Sequence, residues 1–548
     1  MSASPTPVTP TPVTPKKVVV VGHGMVGSRF ADDLTRADPS LEVTVLGREN
    51  HAPYNRVQLS SVVSGKTDPS GLTLPHVSSE HARVLQGVHA TRLDLAARTV
   101  LDSRGTHHPF DHLVLATGSQ ARIPDLHGIA NPRGLLPGIA VLKDLDDAQR
   151  ILAALPKAHH AVVLGAGVLG LEVATGLAAR GLAVTLVHHS GRVMERQLGA
   201  AAAQVATGRL AALGVTVITN TSISAVTDRR GILTGLTLTD GRHLTCELLV
   251  MCAGTVPEIT LARSAGLPCG RGILVGNDLA SPADPQVFAI GDCAQPPEGG
   301  TGLVAQGWRQ SARLVELLTG TSSGLSSLTA DEGHPTDLTN VVRVKAPGLD
   351  VVTMGLAGEV DHGEREVRTV RLSDPAIGRH VEVVVSHGLL VGATVIGDQQ
   401  CASDLSAMYT RMIPVPRDPA HLIVRPLAGA GRPRATSVAE MADGDTVCQC
   451  NTVTKARIVE AVHAGCTTLA EVGRATRAST GCGDCTGLVK DLIGHCALAG
   501  QAPVPQHQTT QSQTSPSGTQ TSPSGTQTSP TPTTSNDRVP ALAGRSEG

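Results

Sequence analysis

The sequence predicts an α/β fold with two dinucleotide-binding units, followed by a small α+β domain and a small helical domain carrying paired cysteines. Three observations lead there. Two apolar strands run directly into G-x-G-x-x-G loops, at Gly22 to Gly27 and at Gly165 to Gly170. Three further apolar strands, within residues 111–119, 247–257 and 287–294, each run into a glycine. Two close thiol pairs, Cys448/Cys450 and Cys482/Cys485, stand far downstream of both loops.

The 548 residues leave room for several domains. A net charge of −2 points to neither a nucleic-acid nor a membrane-surface partner. With only three Phe, two Tyr and one Trp, the cores must be built from Val, Leu, Ile and Ala, and 59 Gly imply many tight turns. Of eleven Cys, seven (Cys246, Cys252, Cys269, Cys293, Cys401, Cys466, Cys496) are scattered singly, which suits a reducing compartment. The Pro- and Thr-rich start lacks the apolar centre of a signal peptide. No uninterrupted apolar run reaches membrane-spanning length; Ala161 to Val187 is broken by glycines, Glu172 and Arg180. A cytoplasmic protein is expected.

In chain order, residues 1–16 form a low-complexity leader. Val18 to Val21 is a β-branched run of the kind found in buried parallel strands. It enters Gly22-His23-Gly24-Met25-Val26-Gly27; a helix to Ala37 and a strand from Glu42 to Leu46 follow. This context makes the loop a dinucleotide fingerprint. Gly22 serves the tight turn, Gly24 the approach of a pyrophosphate, and Gly27 close helix–strand packing, while the helix N-terminus offers N–H groups to phosphate. The acid expected at the end of the second strand is Glu49, a residue or two late. A glycine-rich turn in an unrelated α/β fold is the plainer alternative.

The pattern repeats about 140 residues on. Ala161 to Leu164 is a strand, Gly165-Ala166-Gly167-Val168-Leu169-Gly170 the loop, Leu171 to Arg180 a helix and Ala183 to Val187 the next strand. No ribose acid follows Val187; the chain reads His188-His189-Ser190-Gly191-Arg192, and Arg192 and Arg196 would suit a 2′-phosphate.

The strands ending at Ala116-Thr117-Gly118, at Gly254 and at Gly291-Asp292 resemble, in this order, the two-dinucleotide flavoprotein reductases. The resemblance covers roughly residues 17–400. It implies that the first loop holds FAD and that the second, inserted Rossmann unit holds NAD(P)H. It also implies that Thr117, Gly118 and Gly254 line the cofactors and that Asp292 bonds a ribityl hydroxyl beside Gly291. The implied boundaries are 17–125 and 256–325 for the FAD-binding unit, 126–255 for the NAD(P)H-binding insertion and 335–400 for a small C-terminal reductase domain. Pro53 to Ser60 with Ser64-Gly65-Lys66, and Met194 to Leu198, resemble the nitrite reductase large subunit more narrowly. There, Gly302 to Ala305 leads a helix over the flavin. Arg56 and Lys66 would then face the flavin; the plainer reading is two solvated loop charges. Glu172 matches an acid near the nicotinamide and flavin rings, against a helix-terminal charge answering the macrodipole. The resembling enzymes include NADH users despite similar residues after the second strand, so the nicotinamide stays NAD(P)H.

Thr321 to Asp331 is a Ser/Thr/Gly-rich link. Strands follow at Val341–Val344, Val351–Thr353, Val367–Leu372, Val381–Val385 and, with a bend, Gly388–Ile396; packing is the expected role. Ala402 to Arg425 reads as helix, Leu427 to Pro433 as linker within 401–440, and 445–499 as the cysteine domain. There C-x-C and C-x-x-C are separated by residues 451–481. Ile458, Val459 and Val462, then Leu488, Val489, Leu492 and Ile493, recur at helical spacing, so two short helices present both thiol pairs at one end. Four such thiolates complete a [2Fe–2S] cluster. Buried core thiols, disulfides and a zinc site are the alternatives, although zinc favours C-x₂₋₄-C. The spacing resembles the bacterioferritin-associated-ferredoxin type of [2Fe–2S] domain, which implies Cys448, Cys450, Cys482 and Cys485 as ligands. Residues 501–548 are disordered by composition.

A nicotinamide gives two electrons at once and a cluster takes one, and a flavin does both. Together these sites describe a reductase component passing electrons from NAD(P)H through FAD to a [2Fe–2S] cluster and on to a separate protein acceptor, by positioning rather than through a general base. Residues 22–119 hold no Cys, which disfavours thiol chemistry at the flavin. Only Cys496 follows the cluster pairs, so no [4Fe–4S]–sirohaem module is expected and nitrite reduction by this chain is not. The resemblance implies assimilatory nitrate or nitrite reduction, with a nitrate or nitrite reductase catalytic subunit as acceptor; an oligomer is compatible with it. A general ferredoxin or rubredoxin reductase is the alternative, and an iron/redox sensor or structural zinc module on a flavoprotein is the alternative of another class.

Overall fold

The computed structural model describes residues 15–75, 82–132, 134–320, 341–357, 367–424, 438, 441–448, 451, 453–483 and 485–499. Residues 1–14 of the leader, the links at 321–331 and 427–433, Cys450 and the tail at 501–548 lie outside them.

Lys17–Val21 sits inside a six-stranded sheet, paired in parallel with Glu42–Gly47 on one side and His112–Leu115 on the other. Both faces of this strand are covered, which is why its sequence is an unbroken valine run. Arg83–Gln86 extends one edge; Asp284–Ala289 and Ala280–Ser281 extend the other. Helices Met25–Ala37 and Val304–Thr319 pack together beside it.

The chain leaves this sheet after Leu115 and re-enters it at Ala280. In between it builds a second, all-parallel sheet in the order Ile139–Val141, Leu248–Met251, His160–Leu164, Ala183–Val187, Val215–Ile218. The outgoing and returning segments pair as a two-stranded ribbon, Ser119–Ala121 against Thr255–Pro257. Gly118 (φ 71°) and Gly254 (φ 95°) turn the chain into it. Two three-stranded antiparallel sheets, formed within residues 90–109 and 223–245, complete these units.

A five-stranded antiparallel sheet follows, in the order Val341–Ala346, Leu349–Gly355, Leu389–Ile396, Arg379–Ser386, Arg368–Asp374. Its core runs into that of the second parallel sheet through Val344, Leu349, Val351 and Ile396. The helix expected from Ala402 to Arg425 is instead Gln399–Thr410. Pro414, Pro416 and Pro419 cannot continue it, and only the short turn Pro419–Leu422 is helical beyond.

The cysteine domain has three helices where two were expected: Lys455–His463, Leu469–Thr476 and Thr486–Ala499. The middle one starts with a capping box between Thr468 and Glu471. Cys448 and Cys485 belong to the small core these helices enclose, with Val453, Ile458, Val472 and Leu492. Among the described residues, no helix is long and apolar enough to cross a membrane.

Candidate functional site

The first glycine loop opens onto a cavity of about 540 Å³. A Cβ on Gly22 (φ 120°) would overlap the Ala116 carbonyl, and one on Gly27 the Gly22 carbonyl. These glycines are required by the fold itself. Gly24 differs: a Cβ there would meet nothing closer than the Arg56 side chain at 3.8 Å. Packing within the protein does not require its small size. His23 and Met25 line the same wall, as do Thr117, Gly118, Gly291 and Asp292 across from it.

Two linked groups of charge lie at the rim. Arg56 pairs with Glu49, whose second oxygen accepts from the Tyr54 hydroxyl at 2.7 Å. That hydroxyl accepts in turn from the Leu145 backbone N–H at 2.9 Å, and the Arg56 guanidinium lies 4.7 Å from the Tyr54 ring centre. Burial opposes the charge on Glu49, but Arg56 and the Tyr54 hydroxyl outweigh it and lower its pKa. Glu49 is therefore held as a carboxylate at the cavity wall, engaged on both oxygens. Opposite, Lys143 Nζ donates to Ser119 Oγ at 2.7 Å and stands 3.6 Å from Asp292, while Ser119 Oγ donates to Asp292 at 2.7 Å. Burial lowers the Lys143 pKa, with Asp292 pulling the other way. Tyr54 lies in the segment Pro53 to Ser60 expected to face the flavin; Ser119 and Lys143 were not expected site residues, and nothing in the spacing around Lys143 singles it out.

Glu172 and Lys66 lie outside this cavity lining. Glu172 is buried; one oxygen accepts from Ser60 Oγ at 2.6 Å and the other from the Lys345 backbone N–H at 2.8 Å. It stitches the segment Leu59–Ser64 and the antiparallel sheet onto its own helix. Lys66 is exposed at the end of that segment.

The second loop repeats the division of labour. A Cβ on Gly165 (φ 107°) would overlap the Cys252 carbonyl and one on Gly170 the Gly165 carbonyl, whereas one on Gly167 would meet nothing within 4 Å. At the end of the following strand His188 is locked: its Nδ1 accepts from the Ala166 N–H at 3.2 Å, and its Nε2 donates to Glu195 at 2.8 Å. His189, Arg192 and Arg196 are exposed beside it.

The cysteine domain is seated on the first unit beside the cavity. Gln58 Nε2 donates to the Cys482 carbonyl at 2.6 Å. Asn55 Nδ2 donates to the Thr480 and Gly481 carbonyls at 3.1 and 2.7 Å. Arg477 bridges Asp32 and Asp33 on the first helix. Val57 and Leu59, flanking Gln58, line the cavity, so one short segment touches both. Cys448 and Cys485 are buried, and Cys482 is half-buried. Their sulfurs crowd together: the hydrogen bond with Cys448, burial, and the charges of Cys448 and Cys482 push the Cys485 thiol far above the ordinary range. Mutual repulsion of this kind is relieved by a bound cation, which is the chemistry a metal-thiolate centre needs. Among the described residues, no three His, Cys, Asp or Glu already stand as a metal-holding group, and Cys450 lies outside them.

Residues 16–312 match the pyridine nucleotide-disulphide oxidoreductase family, and residues 446–495 match the BFD-like [2Fe-2S] binding domain. Nitrite reductase [NAD(P)H] of Bacillus subtilis (strain 168) is 30% identical over 487 residues, 88% of this chain and 58% of its own. The assimilatory nitrate reductase electron transfer subunit of the same organism is 31% identical over 488 residues, 87% of this chain and 59% of its own. The chain thus spans little more than half the length of these relatives. The solved ferredoxin reductase for the CYP199A2 system from Rhodopseudomonas palustris superposes with a TM-score of 0.60 at 26% identity, covering 70% of this chain and 91% of that one.

Proposed function

Because the chain belongs to the pyridine nucleotide-disulphide oxidoreductase family, we propose that it is an electron-transfer reductase component. It takes electrons from NAD(P)H through FAD to a [2Fe–2S] cluster and delivers them to a separate protein acceptor. The observation that carries this reading is the Gln58 contact. The segment that walls the cavity on one side holds a cluster-ligand carbonyl on the other, at 2.6 Å.

A bound flavin supplies the exchange between paired and single electrons; the chain supplies the positions. Gly24 and the N-terminus of Met25–Ala37 receive the FAD pyrophosphate, and Gly167 with the helix Val168–Ala179 receives that of NAD(P)H. Lys143 and Ser119 orient Asp292 toward a ribityl hydroxyl, and the Tyr54–Glu49–Arg56 group fixes the wall that Asn55 and Gln58 extend. Met25, Leu74 and Trp308 form a small apolar group beside Arg477 and Thr480 of the cysteine domain. No general base is assigned, since Glu172 is occupied on both oxygens. Residues 17–125 and 256–325 serve FAD, 126–255 NAD(P)H, 335–400 packing and 445–499 the cluster, through Cys448, Cys450, Cys482 and Cys485.

The named relatives support assimilatory nitrate or nitrite reduction as the setting, with the catalytic subunit as acceptor. The likeness to a ferredoxin reductase supports delivery to a ferredoxin or rubredoxin as the second reading. The test is an anaerobic titration of purified protein with NADH and with NADPH, followed by electron paramagnetic resonance. Flavin bleaching followed by a reduced [2Fe–2S] signal that Cys482→Ser abolishes is the expected result. Bleaching without an iron signal, with zinc bound, removes the cluster from the pathway. Turnover with nitrate reductase against turnover with a ferredoxin then separates the two acceptors.

A further inference from the structure

We infer that Asn451 is a positioning residue that raises the reduction potential of the cluster, and that Arg29, from the other side of the docking contact, holds it in that role. The inference rests on the [2Fe–2S] reading above. Asn451 Nδ2 lies 3.8 Å from Cys448 Sγ, within reach of an N–H···S hydrogen bond. The same amide nitrogen also faces the Arg477 carbonyl at 2.9 Å and Thr480 Oγ1 at 3.2 Å, so its two hydrogens are shared among three acceptors and the sulfur receives part of one of them. The amide oxygen accepts from Arg29 Nη1 at 2.6 Å.

This arrangement fixes the amide one way round. A guanidinium has only donors, so the atom facing Arg29 must be the oxygen, and the NH₂ is thereby turned to the sulfur and the cysteine loop. Arg29 is itself held, donating to Asp33 at 3.4 Å and lying 4.9 Å from the centre of the Trp308 ring. A donor aimed at a ligand sulfur stabilises the more electron-rich reduced cluster and so raises its potential. One electron enters the cluster; Asn451 makes and breaks no bond and moves no proton. Arg477 and Thr480 orient the amide from within the cysteine domain, and Arg29, on the helix Met25–Ala37, adds a further restraint that exists only when the two parts are in contact. The cluster is therefore the better electron acceptor where the electrons are delivered.

The experiment is a redox titration of the full chain, read by electron paramagnetic resonance rather than by turnover. Asn451→Leu removes the donor without changing charge. The expected result is a lower midpoint, about tenfold in the oxidised-to-reduced ratio at fixed potential, or about 59 mV for a one-electron couple. Arg29→Leu should give part of that fall. Arg474→Leu, which removes an exposed cation from the helix Leu469–Thr476 and leaves Asp32 and Asp33 untouched, measures the through-space charge effect to be subtracted. If Asn451→Leu loses the cluster, the Arg29→Leu shift beyond the Arg474→Leu control decides alone. An unchanged midpoint in a cluster-loaded Asn451→Leu, or an Arg29→Leu shift no larger than the control, overturns the inference. A wild-type chain with no [2Fe–2S] signal overturns the underlying reading instead.

Discussion

Glu172 offers a sharp choice between a reactive and a structural acid. It is 4% exposed, with Ser60 Oγ on one oxygen and the Lys345 N–H on the other. Val341–Ala346 is an edge strand, so without Glu172 the outward N–H of Lys345 has no sheet partner. Hydrogen bonds to a charged group contribute about 1.5–3 kcal/mol each. Relief of the carboxylate's own desolvation offsets part of that loss. Glu172→Ala should therefore cost about 2–4 kcal/mol, the sum of two such bonds less the offset. Domains of about 150–250 residues lose roughly 2–4 °C per kcal/mol and a larger compact unit loses less, so melting should fall by no more than roughly 16 °C. Glu172→Gln should be milder, since the Ser60 hydroxyl can turn to accept from the new amide. Thermal melting and stopped-flow flavin reduction by NAD(P)H, normalised to bound FAD, are the two assays. Flavin reduction should stay within about threefold of wild type, about 0.7 kcal/mol of barrier. Unchanged melting with flavin reduction down by about a hundredfold, about 2.7 kcal/mol, would refute the structural assignment.

The two open glycines can be separated from the two crowded ones. Gly167→Ala should leave melting near wild type while raising the KM for NAD(P)H, because its Cβ meets no protein atom within 4 Å; Gly165→Ala should fail to fold, because its Cβ meets the Cys252 carbonyl. Equal loss of melting temperature in both would place Gly167 in the fold rather than the site. Lys143 makes a pH prediction. Burial lowers its folded pKa, and the unfolded chain keeps the proton to about 10.4. Between those values the unfolded state binds more protons, so apoprotein stability from this group rises with pH, while loss of the same charge weakens FAD retention. Lys143→Met should flatten both trends, measured by alkaline melting curves and FAD release. Arg477→Ala should shift the emission of Trp308, the only tryptophan, which packs beside Arg29 at this contact. It should also slow electron passage to the cluster while flavin reduction is unchanged. Identical emission and cluster reduction rates would remove Arg477 from docking.

Local rules made the two nucleotide units legible. A strand covered on both faces must be apolar throughout, and a loop crossing a carbonyl must be glycine, so Val18–Val21 and Gly22 carry their reasons in the sequence. The middle helix of the cysteine domain was missed, although Thr468-x-x-Glu471 carries its capping signal. Other features depend on distant chain. The fate of Glu172 is set by Lys345, 173 residues on, in a sheet with no motif. Asn55 and Gln58 read only as members of a segment facing the flavin, and their second role shows once the cysteine loop, 424 to 426 residues on, is laid against them. Arg477 ends its helix at φ 67°, where a glycine would have announced the turn; its bond to Asp33 favours arginine there.

The docking contact has a consequence for how electrons leave. If contact with Arg29 raises the cluster potential, reciprocity requires that reduction tighten the contact by the same factor. Release to an acceptor must then work against it, and the contact is made of groups that salt weakens. Arg477 bridges Asp32 and Asp33, with side chains 13% and 13–25% exposed, so ions reach the pair only in part. Screening shortens from about 10 Å at 0.1 M salt to about 3 Å at 1 M. Over that range the wild-type cluster midpoint should fall toward the Asn451→Leu value. The Asn451→Leu midpoint should change little, because its donor is already gone. General effects of ionic strength on a charged cluster act on both proteins alike, so the difference between the two slopes isolates docking. Parallel slopes would break the link between docking and potential. Converging ones would mean that the cluster accepts its electron most readily while seated and gives it up most readily once the Arg29 contact is loosened.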